Sequence, residues 1–250
     1  MILTIAAREL RSMFLSPLAW AVLGVLQAIL AWVFLVSLDQ FLLIQARLAG
    51  LEGAPGVTDI VIVPLFSLIG ILLLLVMPLL TMRLISEERR NRTLTLLLSS
   101  PVSITDIILG KFAAVFGFAL LTLVLVLLMA LSLAGGTHLD YGQIAGAAIG
   151  LLLMVGAFAA IGLYVSCLTD HPAVAAVISF GLLFMLWIIS WATQVNPNSG
   201  ELLRWLSIVQ HQENFQHGVI NSTDVMYYLI LITVFLLLSV RRLDAGRLQA

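Results

Sequence analysis

The chain has 250 residues, 62% of them hydrophobic and only 10% charged, whereas soluble domains carry about 25% charged residues. That balance excludes a water-soluble fold and leaves lipid as the solvent for most of the surface. The single cysteine, Cys167, excludes an intramolecular disulfide and a cysteine metal cluster.

Residues 1–17, MILTIAARELRSMFLSP, place Leu3, Ala7, Leu10 and Phe14 on one helical stripe and Thr4, Arg8 and Arg11 on another. The pattern suits an amphipathic helix at the inner membrane interface. The apolar run after Arg11 is longer than a signal-peptide core and no small-residue cleavage site follows, so the first span is expected to be retained.

A bilayer core takes about 20 apolar residues in a helix. Spans are expected at residues 18–42, 59–83, 112–135, 142–168, 172–194 and 225–241, an all-α bundle of six. The last is short, and Arg241 and Arg242 can snorkel from its end. Pro172 ends the corner between the fourth and fifth spans, since a proline disfavours helix in the residue before it. With the N-terminus inside, the inner segments hold Arg8, Arg11, Arg83, Arg89, Arg90, Arg92, Lys111, Arg241, Arg242 and Arg247; the outer ones hold Arg47 and Arg204. This positive-inside bias puts both termini and the loop after the second span in the cytoplasm.

Residues 84–111 are the longest water-loving stretch. Arg83 and Glu87 lie four apart, as do Glu88 and Arg92, a spacing that supports an exposed helix. That helix is expected to continue to residue 100, with Leu94, Leu97 and Leu98 sharing a face, and to break at Pro101. Ser103 and Asp106 then form a capping box that starts a helix running through Lys111 into the third span. Mixed acids and bases suit docking of a protein better than holding anionic lipid.

The fourth span opens on GQIAGAAIG, with Gly142, Gly146 and Gly150 four apart. Small residues at this spacing let helices approach closely, within one chain or between subunits. Residues 195–224 form the longest outer segment, where NSGELLRWLSIV is expected to start a helix near Ser199 with Leu202, Leu203, Trp205 and Leu206 as its apolar face. A short helix or re-entrant hairpin fits, and Trp205, Phe215, Tyr227 and Tyr228 suit the outer boundary.

Several chemistries find no support. Gly110-Lys111 is followed by Phe112, and Thr105 stands where a phosphate-binding loop has its first glycine. His211, Glu213 and His217 do not share a helical face, so no metal is expected and they read as polar positions in a wet loop. His138 with Asp140, and Asp170 with His171, read as solvated loop residues. No span carries a charge at its middle; polar interest there is limited to Gln27, Thr81, Thr122, Ser166 and Ser179. That argues against a proton-coupled carrier and for a permease powered from outside its own helices.

PLLTMRLISEERRNRTLTLLLSSPVSITDIILGKF, with Pro78, Met82, Arg83, Glu87, Glu88, the leucines 96–98, Pro101, Gly110 and Lys111, resembles the signature of ABC-2 type transporter permeases. RELRSMFLSPLAW and ENFQHGVINSTDVMYYLILITVFLLLSVRRLD are similar to the branch found in gliding-motility-type ABC transporters, which does not itself imply gliding. The family pattern usually has Gly-Thr where this chain has Arg92-Thr93. The resemblance implies that Glu87, Glu88, Arg89, Arg90, Arg92, Thr93, Leu97, Leu98 and Pro101 couple to a separate cytoplasmic ATPase, which would carry the ATP and Mg. It also implies an elbow role for the N-terminal helix and outer helices that close an exit. A second permease subunit, the same or related, surrounding lipid, an auxiliary subunit with an extracytoplasmic domain and a bacterial inner membrane follow as expectations, with no nucleic acid and no cofactor on this chain. A non-transporting scaffold for an ATPase and an intramembrane enzyme are the rival readings; the latter needs a convergent His, Ser or acid set that the sequence does not display.

Overall fold

The computed structural model describes residues 1–48, 55–93, 102–195 and 205–247, and all regular structure among them is helical. Helix α1 (Ile2–Leu15) ends at Ser16, whose extended backbone (ψ 135°) precedes Pro17, the first residue of α2 (Pro17–Leu48). Proline forces that break, because its ring excludes helix at the residue before it. The Trp20 indole closes the corner by donating to the Phe14 carbonyl at 2.8 Å, an acceptor that the end of α1 would otherwise leave open.

Helix α3 (Val63–Thr81) follows a π-helical turn, Thr58–Ile62. After it come a one-turn helix α4 (Ser86–Arg90), then α5 (Ile104–Leu131), α6 (Tyr141–Leu168), α7 (Pro172–Val195), α8 (Ile208–Gln216) and α9 (Ser222–Arg247). Six segments are long and apolar enough to cross a membrane, in α2, α3, α5, α6, α7 and α9. The helix expected to start near Ser199 falls on residues outside those described; α8 itself starts at Ile208, with the Ser207 hydroxyl accepting from the Gln210 amide at 3.3 Å.

Helix α6 is the hub. Its apolar window is 78% buried, against 17–22% for those of α2, α7 and α9, which leave broad faces to lipid. The cause lies in its small residues, because in lipid close backbone approach replaces the hydrophobic drive between helices. A Cβ on Gly156 would stand 2.9 Å from Ile232 of α9, and one on Gly146 would stand 2.9 Å from the Phe215 carbonyl. At Gly150 the same atom would come within 2.5 Å of the Phe215 side chain. The expected glycine stripe thus packs within the chain at Gly146 and Gly150, seating α8 against α6. Gly142 takes no part: its nearest neighbour is Asp140, the cap of its own helix.

Helix α1 lies along the first turns of α5. Gly110 faces Ile5, Gly117 faces Leu10, and the Phe14 and Phe118 rings sit 5.8 Å apart. The protein-facing stripe is therefore Ile5, Glu9, Leu10, Met13 and Phe14, and Leu3 and Ala7 are exposed. Of the stripe read from the sequence, Leu10 and Phe14 face the protein and Leu3 and Ala7 do not; that reading left out Glu9, whose charge has a buried partner.

Overpacking a tight contact costs about 1–3 kcal/mol, while alanine in place of a helical glycine gains about 0.5–1 kcal/mol where there is room. Gly150→Ala should therefore lower the melting temperature of the detergent-solubilised chain, and Gly24→Ala, with nothing within 4 Å of the added atom, should leave it unchanged or raise it.

Candidate functional site

Most of the chain's basic side chains gather at one end of the bundle. There α3 stops at Thr81, the chain turns through Met82–Ile85, and α4 begins at Ser86. A helix broken among apolar neighbours frees amide donors that need partners. Ser166 of α6 supplies one: its hydroxyl accepts from the Ile85 and Ser86 amides, each at 3.1 Å, and lies 3.1 Å from the Met82 carbonyl, to which it donates. The Ser86 hydroxyl donates to the same carbonyl. Gly162 makes room, since a Cβ there would collide with Thr81. The α3–α4 bend is thus held by α6.

Helix α4 is held again through Lys111. This lysine is 1% exposed, and its ammonium lies 2.7 Å from Glu88 Oε1 and 3.0 Å from Glu9 Oε1. Glu9 belongs to α1, Glu88 to α4 and Lys111 to α5, so one buried cation joins three elements. The local sequence places each part: the Ser103 hydroxyl accepts from the Asp106 amide at 3.1 Å, starting α5 so that Lys111 falls in its second turn. Beside the cluster a cleft of about 320 Å³ opens between α1, α3 and α4, lined also by Arg83 and Glu87. A second, of about 370 Å³, lies on the other flank of α4, between Arg83, Arg90 and His171.

The residues expected to couple are therefore sorted by direction. Glu88 faces inward to Lys111, and Arg89 reaches Asp170 at 3.3 Å. Glu87 is half-buried, and Arg90, Asn91, Arg92 and Thr93 form the exposed tip. Leu97, Leu98 and Pro101 lie outside the described residues. The helix expected to run from Arg83 to residue 100 does not form as one piece, because α4 ends at Arg90. Arg83 lies in the turn before α4, and Glu88 turns inward to pair with Lys111.

The opposite end carries a second polar cluster. The Gln143 carboxamide donates to Asp59 Oδ1 and to the Gln216 carbonyl, both at 3.0 Å, and the Thr58 hydroxyl accepts from the Asp140 amide at 3.1 Å. His211 is buried, with Nδ1 2.6 Å from Asp224 Oδ1 and Nε2 2.9 Å from the Trp205 carbonyl. Its ring stacks on Tyr227 with centroids 4.1 Å apart. Asn214 donates to the other Asp224 oxygen at 2.8 Å, and the Tyr227 and Tyr228 hydroxyls donate to the Leu206 and Ile208 carbonyls. His211 is thus a clasp between α8 and α9 and not the wet loop residue expected. Among the described residues no group of His, Cys, Asp or Glu is arranged to hold a metal.

Residues 52–241 match the family described as ABC-2 family transporter protein, about three quarters of the chain. The chain belongs to that family. It is a multi-pass membrane protein, the permease component of a transporter. Comparison with curated proteins gave no match.

In this ABC-2 permease the exchange of the family's usual glycine for Arg92 has a structural reading. Arg92 has φ +57°, the left-handed region. Its amide donates to the Arg89 carbonyl at 3.1 Å and the Thr93 amide to the Glu88 carbonyl at 2.9 Å. This pair of bonds is a Schellman motif, whose left-handed position glycine occupies without steric cost. Arginine there costs about 1 kcal/mol.

Arg92→Gly should therefore relieve about 1 kcal/mol of backbone strain and be more stable than Arg92→Val, which lacks the same side chain but is β-branched at a positive φ. Removing one partner of a buried ion pair costs about 3–5 kcal/mol. Lys111→Met should thus lower the melting temperature sharply. Glu9→Gln, which leaves the Glu88 pair, should do less.

Proposed function

We propose that this ABC-2 permease is the transmembrane subunit of a complex in which a separate ABC ATPase docks on the α4 tip and drives export or mechanical work across the membrane. The basic end then faces the cytoplasm with both termini, in the inner membrane of a bacterium, in keeping with the positive-inside bias. A second permease, identical or related, completes the pair, and the N-terminal and pre-α9 motifs favour the gliding-motility-type branch. The ATPase supplies the nucleotide chemistry with its own ATP and Mg.

One observation carries this reading: the exposed tip of α4 stands on a base fixed to three other helices. Lys111 ties it to α1 and α5, and Ser166 ties it to α6. A push on Arg90–Thr93 cannot be absorbed by a loose loop, because the element it meets is bonded to neighbouring segments at Ser86, Glu88 and Arg89. It is transmitted as a rigid displacement of packed helices. Glu87 and Arg90 are the docking charges; Glu88 and Lys111 carry the load behind them.

The test is recovery of the partner ATPase on the immobilised permease, together with ATP turnover of the complex. Glu87→Arg combined with Arg90→Glu should reduce recovery about tenfold or more, since like charges across an interface cost several kcal/mol. Lys111→Met should still recover the ATPase but uncouple its turnover from the permease. Unchanged recovery and turnover in the double reversal would reject the docking role.

A further inference from the structure

We propose that His211 and Asp224 form a proton-operated latch at the end of the bundle opposite the basic one, closed while the imidazole carries two protons and opened when alkali removes one. The two ring nitrogens both face acceptors. Nδ1 lies 2.6 Å from Asp224 Oδ1, and Nε2 lies 2.9 Å from the Trp205 carbonyl. A carbonyl has no proton to give, so Nε2 is the donor in that bond. A neutral ring has a single N–H, which would leave Nδ1 as a bare lone pair against a carboxylate. Both contacts are hydrogen bonds only when the pair holds one proton more than a neutral imidazole and an ionised carboxylate supply.

The surroundings put that proton on the ring. The second Asp224 oxygen accepts from the Asn214 carboxamide at 2.8 Å, and such a bond favours the charged form of a carboxylate. The imidazole lies along the Tyr227 ring, with centroids 4.1 Å apart and planes 21° from parallel, and an aromatic face attracts a cation. His211 is 8% exposed and Asp224 3%, and a carboxylate so buried needs a paired charge. The other groups near this ring are neutral or turned away. From α9 come Tyr227 and Tyr228, whose hydroxyls donate to the Leu206 and Ile208 carbonyls. Helix α6 meets α8 with the uncharged Gln143, behind which Asp59 accepts. Helix α7 contains no Asp, Glu, Lys, Arg or His. On α8 itself, Glu213 and His217 stand about 200° and 240° around the helix from His211.

The latch holds the chain that enters α8. The carbonyls of Trp205, Leu206 and Ile208 accept from His211, Tyr227 and Tyr228 in turn. When one proton leaves the imidazole, the other stays on Nδ1, because a bond to a carboxylate is stronger than one to a carbonyl. Nε2 then turns a lone pair on the Trp205 carbonyl, and that contact becomes repulsive. The bond between α8 and α9 survives while the Trp205 segment is let go.

The experiment uses the full chain in detergent micelles, with ring-15N histidine and no ATPase, so its failure is distinct from a failure of the docking proposal. At about pH 7.5 an exposed histidine carries a single ring proton. Of the four histidines, one, absent from the spectrum of His211→Gln, should show both ring nitrogens protonated. Asp224→Asn separates the proton from the fold. Its amide can donate to Nδ1 and still accept from Asn214, so every bond is kept by a ring that bears only the Nε2 proton. This variant should fold and show one bare nitrogen at His211. The wild-type chain, folded, holds a proton that it releases on unfolding, so its stability falls as pH rises above about 6.5. Between about pH 7 and 8 its unfolded fraction should grow about tenfold more than that of Asp224→Asn. A singly protonated His211 in the wild type at about pH 7.5, or equal pH dependence of unfolding in the wild type and Asp224→Asn, would overturn the proposal.

Discussion

The structure of the basic end depends on a single buried ammonium. Lys111 sits among apolar helices with its charge out of water, a position tolerated only with close opposite charge and good hydrogen bonds. Two carboxylates meet that demand, from residues 102 and 23 positions away in sequence. Because the lysine has to be paired, α1, α4 and α5 have to meet. The elbow corner at Ser16–Pro17, the glycine opposite Ile5 and the serine cap at Ser103 all serve that meeting.

A second constraint is the cost of open backbone groups where water is scarce. The π-turn at the start of α3 and the break at its end are the irregular parts of the second span, and each is bonded to α6 or its cap. Thr58 takes the amide of Asp140, and Ser166 takes those of Ile85 and Ser86. Helix α6 is therefore both the packing hub, through its glycines and alanines, and the source of the hydroxyl that holds the bend between α3 and α4. One helix with small residues performs both tasks because its neighbours come close enough to reach its polar groups.

The apolar runs made the long helices legible, since a span's length follows from bilayer thickness and its composition from the solvent. The Ser103 cap and the packing of Gly146 and Gly150 were also readable, being local or periodic. The pairing of Lys111 was not. A cation at a helix start beside a charged loop reads as one more snorkelling base, and nothing local points to Glu9. Helix α4 was overextended because its i,i+4 charges imitate a long exposed helix; what stops it is a left-handed backbone at an arginine, where no glycine marks the end. His211 was misread for a related reason. Its partner Asp224 lies on the next helix, and the spacing of His211, Glu213 and His217 drew attention to the wrong neighbours.

The clasp between α8 and α9 completes a closed triangle with α6 at this end of the bundle. Separating those two helices strands the Asp224 carboxylate and leaves His211, Asn214 and two tyrosine hydroxyls searching for new mates. Peeling α8 from α6 breaks the Gln143 bond to the Gln216 carbonyl and otherwise unseats Phe215 from bare glycine. The short helix is therefore clamped from two sides, and because α9 itself lies along α6, with Ile232 against Gly156 and the Phe235 ring beside Tyr164, all three are locked into one body.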